Sequence, residues 1–179
     1  DSVLYNALLE ELDRNNDGVI TKEEASRKVY AFTIKDENIT TLKGIDNIPN
    51  IIAMTLANDN ITDISPLAGL KKIESLNIEG NNISDISVLS NLSKLKKISI
   101  DDNNISDISP LKGLSMLDWI TMRNNNISDI SALGSLTSLT HVDLDDNNVS
   151  DISQLKNMKQ LVMIRLANNN ISDISALEG

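Results

Sequence analysis

The chain has 179 residues, with 26 acids against 16 bases, one histidine and no cysteine. A net charge of −10 repels phosphate backbones and argues against a nucleic-acid partner, while the absent thiols exclude disulfide staples and thiolate metal sites. No apolar run approaches the ~20 residues that cross a bilayer, and with 2% aromatic but 40% hydrophobic residues the core must be aliphatic, as in a stacked repeat.

Val3, Leu4, Leu8 and Leu9 recur at helical spacing and predict a short N-terminal helix. Residues Asp13 to Glu24 then read D-R-N-N-D-G-V-I-T-K-E-E. A calcium-binding EF-hand loop places oxygen ligands at positions 1, 3, 5, 7, 9 and 12, with glycine at 6 for a sharp turn. Asp13, Asn15 and Asp17 supply the first three, and Gly18 supplies the turn. Val19 would ligate through its carbonyl, Thr21 directly or through water, and Glu24 would close the shell with both oxygens. Ile20 is the apolar plug, and Lys22 to Lys28 is expected to form the exit helix. The expectation is an EF-hand-like cap over residues 1–28 that holds Ca²⁺ structurally and covers the apolar end of the adjoining segment.

The remainder of the chain is periodic. N-I-S-D-I-S and close variants begin at Asn38, Asn60, Asn82, Asn104, Asn126, Asn148 and Asn170, each interval being 22 residues. A period of roughly 20–29 residues carrying L-x-x-L-x-L-x-x-N is the leucine-rich repeat signature. In the unit from Leu95, Ile98 and Ile100 alternate with Lys97, Ser99 and Asp101, which predicts a short strand with one buried face. Ile105 and Ile108 return to the core, and Ser109-Pro110 starts a short helical turn. The expected fold class is an α/β solenoid: a leucine-rich repeat horseshoe over residues 29–179. It has seven coils, the last incomplete, with a parallel sheet on its concave face and 3-10 turns on its convex face.

Three columns have structural readings. Asn81, Asn103, Asn125, Asn147 and Asn169 form an asparagine ladder that would satisfy backbone groups of the coils above and below, with Asp59 and Glu37 standing in near the cap. The asparagine one position on reads as a turn residue in left-handed geometry. Asp63, Asp85, Asp107, Asp129, Asp151 and Asp173 read as caps of the helical turns. The final unit reaches Gly179 inside a repeat with no polar cap, so a longer natural protein is expected.

The 22-residue unit L-x-x-L-x-L-x-x-N-x-I-S-D-I-S-P-L, joined to an EF-hand-like cap, resembles the internalin family of Gram-positive surface proteins across the whole chain. That resemblance implies a secreted or cell-surface protein whose concave sheet holds a protein partner such as a host receptor. It also implies a cap that has lost its metal ligands, from which the complete set at Asp13, Asn15, Asp17, Thr21 and Glu24 departs.

The wet positions of successive strands locate the partner site. Ala31, Ala53, Ser75, Lys97, Trp119, His141 and Met163 form the first column. Thr33, Thr55, Asn77, Ser99, Thr121, Asp143 and Arg165 form the second. Lys35, Ala57, Glu79, Asp101, Arg123, Asp145 and Ala167 form the third. Trp119, His141 and Met163 should meet in one patch bordered by Arg123, Asp143 and Arg165. The N-terminal half of this face is bland, so binding is expected on the fourth to sixth full strands. Asp101, Arg123 and Asp145 read as a solvated ion-pair ladder. His141, Asp143 and Asp145 face one way, but an open sheet offers no water-excluding pocket for catalysis. The expectation is therefore a monomeric, non-catalytic protein-binding module. The alternatives are a carbohydrate or cell-wall binder, which would need more aromatic platforms than Trp119, and a structural spacer.

Overall fold

The computed structural model describes residues 2–178; Asp1 and Gly179, the outer limits of the two expected segments, lie outside the described residues. Helix α1 (Ser2–Leu12) buries Leu4, Leu8 and Leu12, which recur every four residues and so share one face. Helix α2 (Lys22–Ala25) is a single turn and does not reach Lys28. It starts in a capping box, with the Thr21 side chain accepting from the Glu24 N–H and the Glu24 carboxylate accepting from the Thr21 N–H. It stops because the chain must be extended by Val29 to join the sheet.

Seven parallel strands succeed it in chain order: β1 (Val29–Lys35), β2 (Ile51–Ala57), β3 (Ser75–Asn77), β4 (Lys97–Ser99), β5 (Trp119–Thr121), β6 (His141–Asp143) and β7 (Met163–Arg165). Their register is a constant 22 residues, as in Lys97 opposite Trp119 and Trp119 opposite His141. The period of the sequence has become the spacing of the sheet, and the first two columns are in the expected register, although Asp143 of the second is buried. Ala57 of the third column is an exception, at 2% exposed. On the opposite side each coil returns through a 3-10 turn, two of them opened by Pro66 and Pro110. Ile and Leu from strands and returns form one continuous core that also takes in Leu4, Leu8 and Leu12 of α1. The cap therefore closes the apolar end of the first coil.

The asparagine ladder is built, with one correction to its reach. Asn103 Nδ2 donates to the carbonyls of Ile78, Ile100 and Asp101 at 3.0, 3.2 and 2.9 Å, and Asn103 Oδ1 accepts the Ile83 N–H at 3.0 Å. These partners lie in its own coil and the preceding one, so each asparagine ties its coil backwards only. Asn81, Asn125, Asn147 and Asn169 repeat the pattern. At Asp59 the pattern changes. Its Oδ1 accepts the N–H groups of Glu37 and Ile39, while its Oδ2 is buried with no hydrogen-bond partner among the described residues. Glu37 is exposed and enters the column only through its backbone.

The left-handed residue is two places earlier than expected. Asp36, Asn58, Gly80, Asp102, Asn124, Asp146 and Asn168 have φ between 48 and 65°, immediately before the ladder position. Of the asparagines after the ladder position, only Asn38 has positive φ. The others donate their backbone N–H to the preceding coil, as Asn104 does to the Ile83 carbonyl. The reason lies in the turn: the chain leaves the strand there and must reverse its curvature, which Asn, Asp and Gly tolerate. The aspartates before the convex turns act as expected, through Asx turns. Asp85 Oδ1, for example, accepts the Ser87 N–H at 2.8 Å.

Candidate functional site on the strand face

The strand register brings the only tryptophan against the only histidine. The Trp119 and His141 rings stack with centroids 4.3 Å apart and planes 16° from parallel. Lys97 Nζ stands 5.8 Å from the Trp119 centroid on the other side. Trp119 keeps 37% of its surface exposed, whereas most large aromatic surface in a fold is spent on burial. Thr140 fixes the imidazole. Its hydroxyl donates to the Asp118 carbonyl at 3.0 Å, so it accepts from His141 Nδ1–H at 2.8 Å.

Met163 extends the column in register, half-buried beside His141. Arg123 and Arg165 are exposed, as expected of a contact surface. Asp143 is not available for contact: it is 5% exposed, its Oδ1 accepts the Asp145 N–H and its Oδ2 lies 3.8 Å from Arg165. It was expected on the wet face by alternation. Its short side chain instead folds onto the backbone as an Asx turn, and it serves to orient Arg165.

The third column is not an ion-pair ladder. Asp101 Oδ1 accepts the Arg123 backbone N–H at 2.8 Å, and Asp145 Oδ1 accepts that of Ala167 at 2.7 Å. The Arg123 guanidinium makes no ion pair among the described residues. Burial pushes the Asp101 carboxyl above the ordinary aspartate range. His141, Asp143 and Asp145 do not converge either, since the imidazole stacks on Trp119 and Asp143 turns to the backbone.

Sequence reasoning missed a hollow. Ser75, Asn77 and Ser99 are small, and over Leu76 and Ile98 they leave a depression of about 220 Å³ between Lys97 and Trp119. At its rim Ser99 is held in a short relay: Thr121 Oγ1 donates to Ser99 Oγ at 2.9 Å, which donates to Glu79 Oε2 at 3.2 Å. The residues read as bland create the space that Trp119 walls, and the site extends back onto β3. The signal was a run of small side chains next to a large one in the same column.

In the cap loop, Gly18 turns at φ 80° and donates its N–H to Asp13 Oδ2 at 2.9 Å. Asn15 Oδ1 accepts the Asp17 N–H, and Asp17 Oδ1 accepts the Val19 N–H. Asp13 Oδ1 is buried with no hydrogen-bond partner among the described residues. The Glu24 carboxylate is already engaged by protein donors of the loop: it accepts from the N–H groups of Arg14 and Thr21 and from the Thr21 hydroxyl. The Thr21 N–H and hydroxyl, followed by the Arg14 N–H, hold it below the usual glutamate range. Among the described residues no group of three or more His, Cys, Asp and Glu side chains is arranged to hold a metal ion.

The family of leucine-rich repeats in two copies matches residues 71–113, 115–157 and 137–179. The chain belongs to the leucine-rich repeat family. Within it the protein is internalin-like. An internalin, InlF, of Listeria monocytogenes superposes with a TM-score of 0.80 at 28% identity, over 99% of this chain and 59% of that one. Internalin C2 of the same organism superposes with a TM-score of 0.74 at 29% identity, over 99% of this chain and 88% of that one. A leucine-rich repeat protein of Leptospira interrogans shares the fold, with a TM-score of 0.70 at 21% identity over 75% of this chain and 36% of that one. The leucine-rich repeat chain thus spans 59% of the length of the InlF structure. No curated protein matches it.

Proposed function

We propose that this internalin-like chain is a non-catalytic protein-binding module of a bacterial surface or secreted protein. It takes its partner, such as a host receptor, on the strand face around Trp119. The observation that carries the reading is the exposed Trp119–His141 stack beside an open hollow. Scaffold does not need either feature. Exposed Trp and Arg are the side chains that most often anchor interfaces; Arg165 lies in β7 and Arg123 two residues past the end of β5. A carbohydrate binder would stack sugars on several aromatic platforms, and this face has only the Trp119–His141 pair. Trp119→Ala with Arg123→Ala is the test. Wild type is expected to capture a defined membrane protein from host cells and the double variant to lose it; equal capture would remove the strand face from the account.

The cap supports a second reading, Ca²⁺ binding. Asp13 Oδ1 is a buried oxygen without a donor, in a loop whose first half has EF-hand turn geometry. Asp13, Asn15, Asp17 and the Val19 carbonyl would hold the ion. Thr21 and Glu24 would have to give up the capping box to join them. A ligand of the native state raises its melting temperature, so calcium should raise the midpoint over chelator; equal midpoints would contradict binding.

A further inference from the structure

The acidity of the chain is not evenly spread. Along the edge where strands β1–β4 begin, Lys28, Asn50, Lys72 and Lys94 succeed one another at 22-residue intervals, with Glu74, Lys96 and Lys97 beside them. Five of the 16 bases and one of the 26 acids stand there, so this edge carries +4 while the rest of the chain carries −14. The run ends at β5, where the Lys96 column turns to Asp118.

These side chains share a cleft of about 430 Å³ lined by Lys28, Asn50, Lys72, Glu74 and Lys94 with Ser26 and Ile52. Only one lysine of the group has a carboxylate: Lys96 Nζ is 2.7 Å from Glu74 Oε2. Lys72 Nζ reaches the Asn50 amide oxygen at 2.5 Å, and Lys28 Nζ sits 4.3 Å above the exposed Tyr30 ring. Lys28, Lys72 and Lys94 have no ion pair among the described residues. Glu74 shows what the cleft does to a carboxylate. The Lys96 hydrogen bond, with added pull from Lys94 and Lys28, holds it below the ordinary glutamate range.

We propose that this edge binds a short acidic segment of the protein partner, continuous with the contact on Trp119 through Lys97. The inference rests on the strand-face reading and names the chemistry of the partner. Three strand spacings of ~4.8 Å give a basic run of roughly 14 Å. Carboxylates on one side of an extended peptide recur every ~7 Å, so two or three match that run. A long polyanion does not fit, because it would continue onto the acidic remainder of the molecule.

The test uses the full chain and a fluorescein-labelled hexaglutamate peptide in low salt, read by anisotropy. Saturable binding is expected, weakened about tenfold by Lys72→Glu with Lys94→Glu, since two attractions become repulsions. Lys112→Glu with Lys156→Glu makes the same net charge change on the exposed convex side and should leave binding within about twofold. No saturable binding, equal weakening by both pairs, or displacement of the peptide by inorganic polyphosphate at lower concentration would each overturn the proposal. The two readings fail separately. If membrane-protein capture depends on Trp119 but hexaglutamate ignores Lys72 and Lys94, only the acidic segment is lost. If hexaglutamate behaves as stated while capture ignores Trp119, only the strand face is lost.

Discussion

The ladder edge and the strand face run along the same seven coils but obey different rules. At the ladder the same amide bonds recur coil after coil, and Asn81, Asn103, Asn125 and Asn147 are all buried. On the strand face, a few residues away, the columns pass from alanine through lysine to tryptophan, histidine and methionine. One side meets a backbone that repeats from coil to coil, so from Asn81 onward it holds asparagine at every turn. The other meets solvent and is free to vary. The repeat is thus a way to separate stability from recognition, and substitutions on each side should report different quantities.

The largest effect is expected at the ladder. Asn103→Ala removes four hydrogen bonds and strands buried carbonyls and the Ile83 N–H. At ~1–3 kcal/mol per orphaned buried group, relieved in part by water, a loss of about 3–5 kcal/mol is expected in denaturant unfolding. A loss below ~1 kcal/mol would mean that the ladder is not what holds the coils in register. Asp59→Asn tests the same column in the other direction. It gives the unpartnered Oδ2 position a donor facing the carbonyls that the other ladder amides reach. A gain of about 1–2 kcal/mol is expected, unlike almost any other substitution of a buried charge.

Acid should act on the convex turns. Asp85, Asp129, Asp151 and Asp173 are held below the ordinary aspartate range, chiefly by the serine N–H two residues on, and Asp63 chiefly by the Ser65 hydroxyl. A lowered folded-state value contributes stability above the unfolded value of about 4 and loses it as pH falls through the folded one. Asp101 runs the opposite way: its value is raised by burial, so its cost at neutral pH is relieved on acidification. Melting temperature should therefore fall below about pH 4, and Asp101→Asn should remove the small opposing slope above that point.

The period explains how much of this was legible. Residues 22 apart had to be neighbours, so the register, the ladder and the meeting of Trp119 with His141 could be read from spacing alone. The left-handed column was misplaced, although its composition of Asp, Asn and Gly alone was visible at positions 36, 58, 80, 102, 124, 146 and 168. Spacing does not carry the direction a short polar side chain takes. Asp143 folded onto the Asp145 N–H, and Glu24 took the N–H groups of Arg14 and Thr21. In both cases nearby backbone donors decided the outcome. The hollow beside Trp119 was hidden for a related reason: alternation marks which residues face out, but not how much room they leave.

The separation of recognition from scaffold is tested most directly by crosslinking. A photoreactive phenylalanine analogue is placed at Ser99 in the hollow, and in a second protein at the exposed convex Ser106. The account predicts that the partner captured from host membranes crosslinks from position 99 and not from 106, and that the 99 crosslink disappears with Trp119→Ala at unchanged melting temperature. Crosslinking from 106 alone would contradict it.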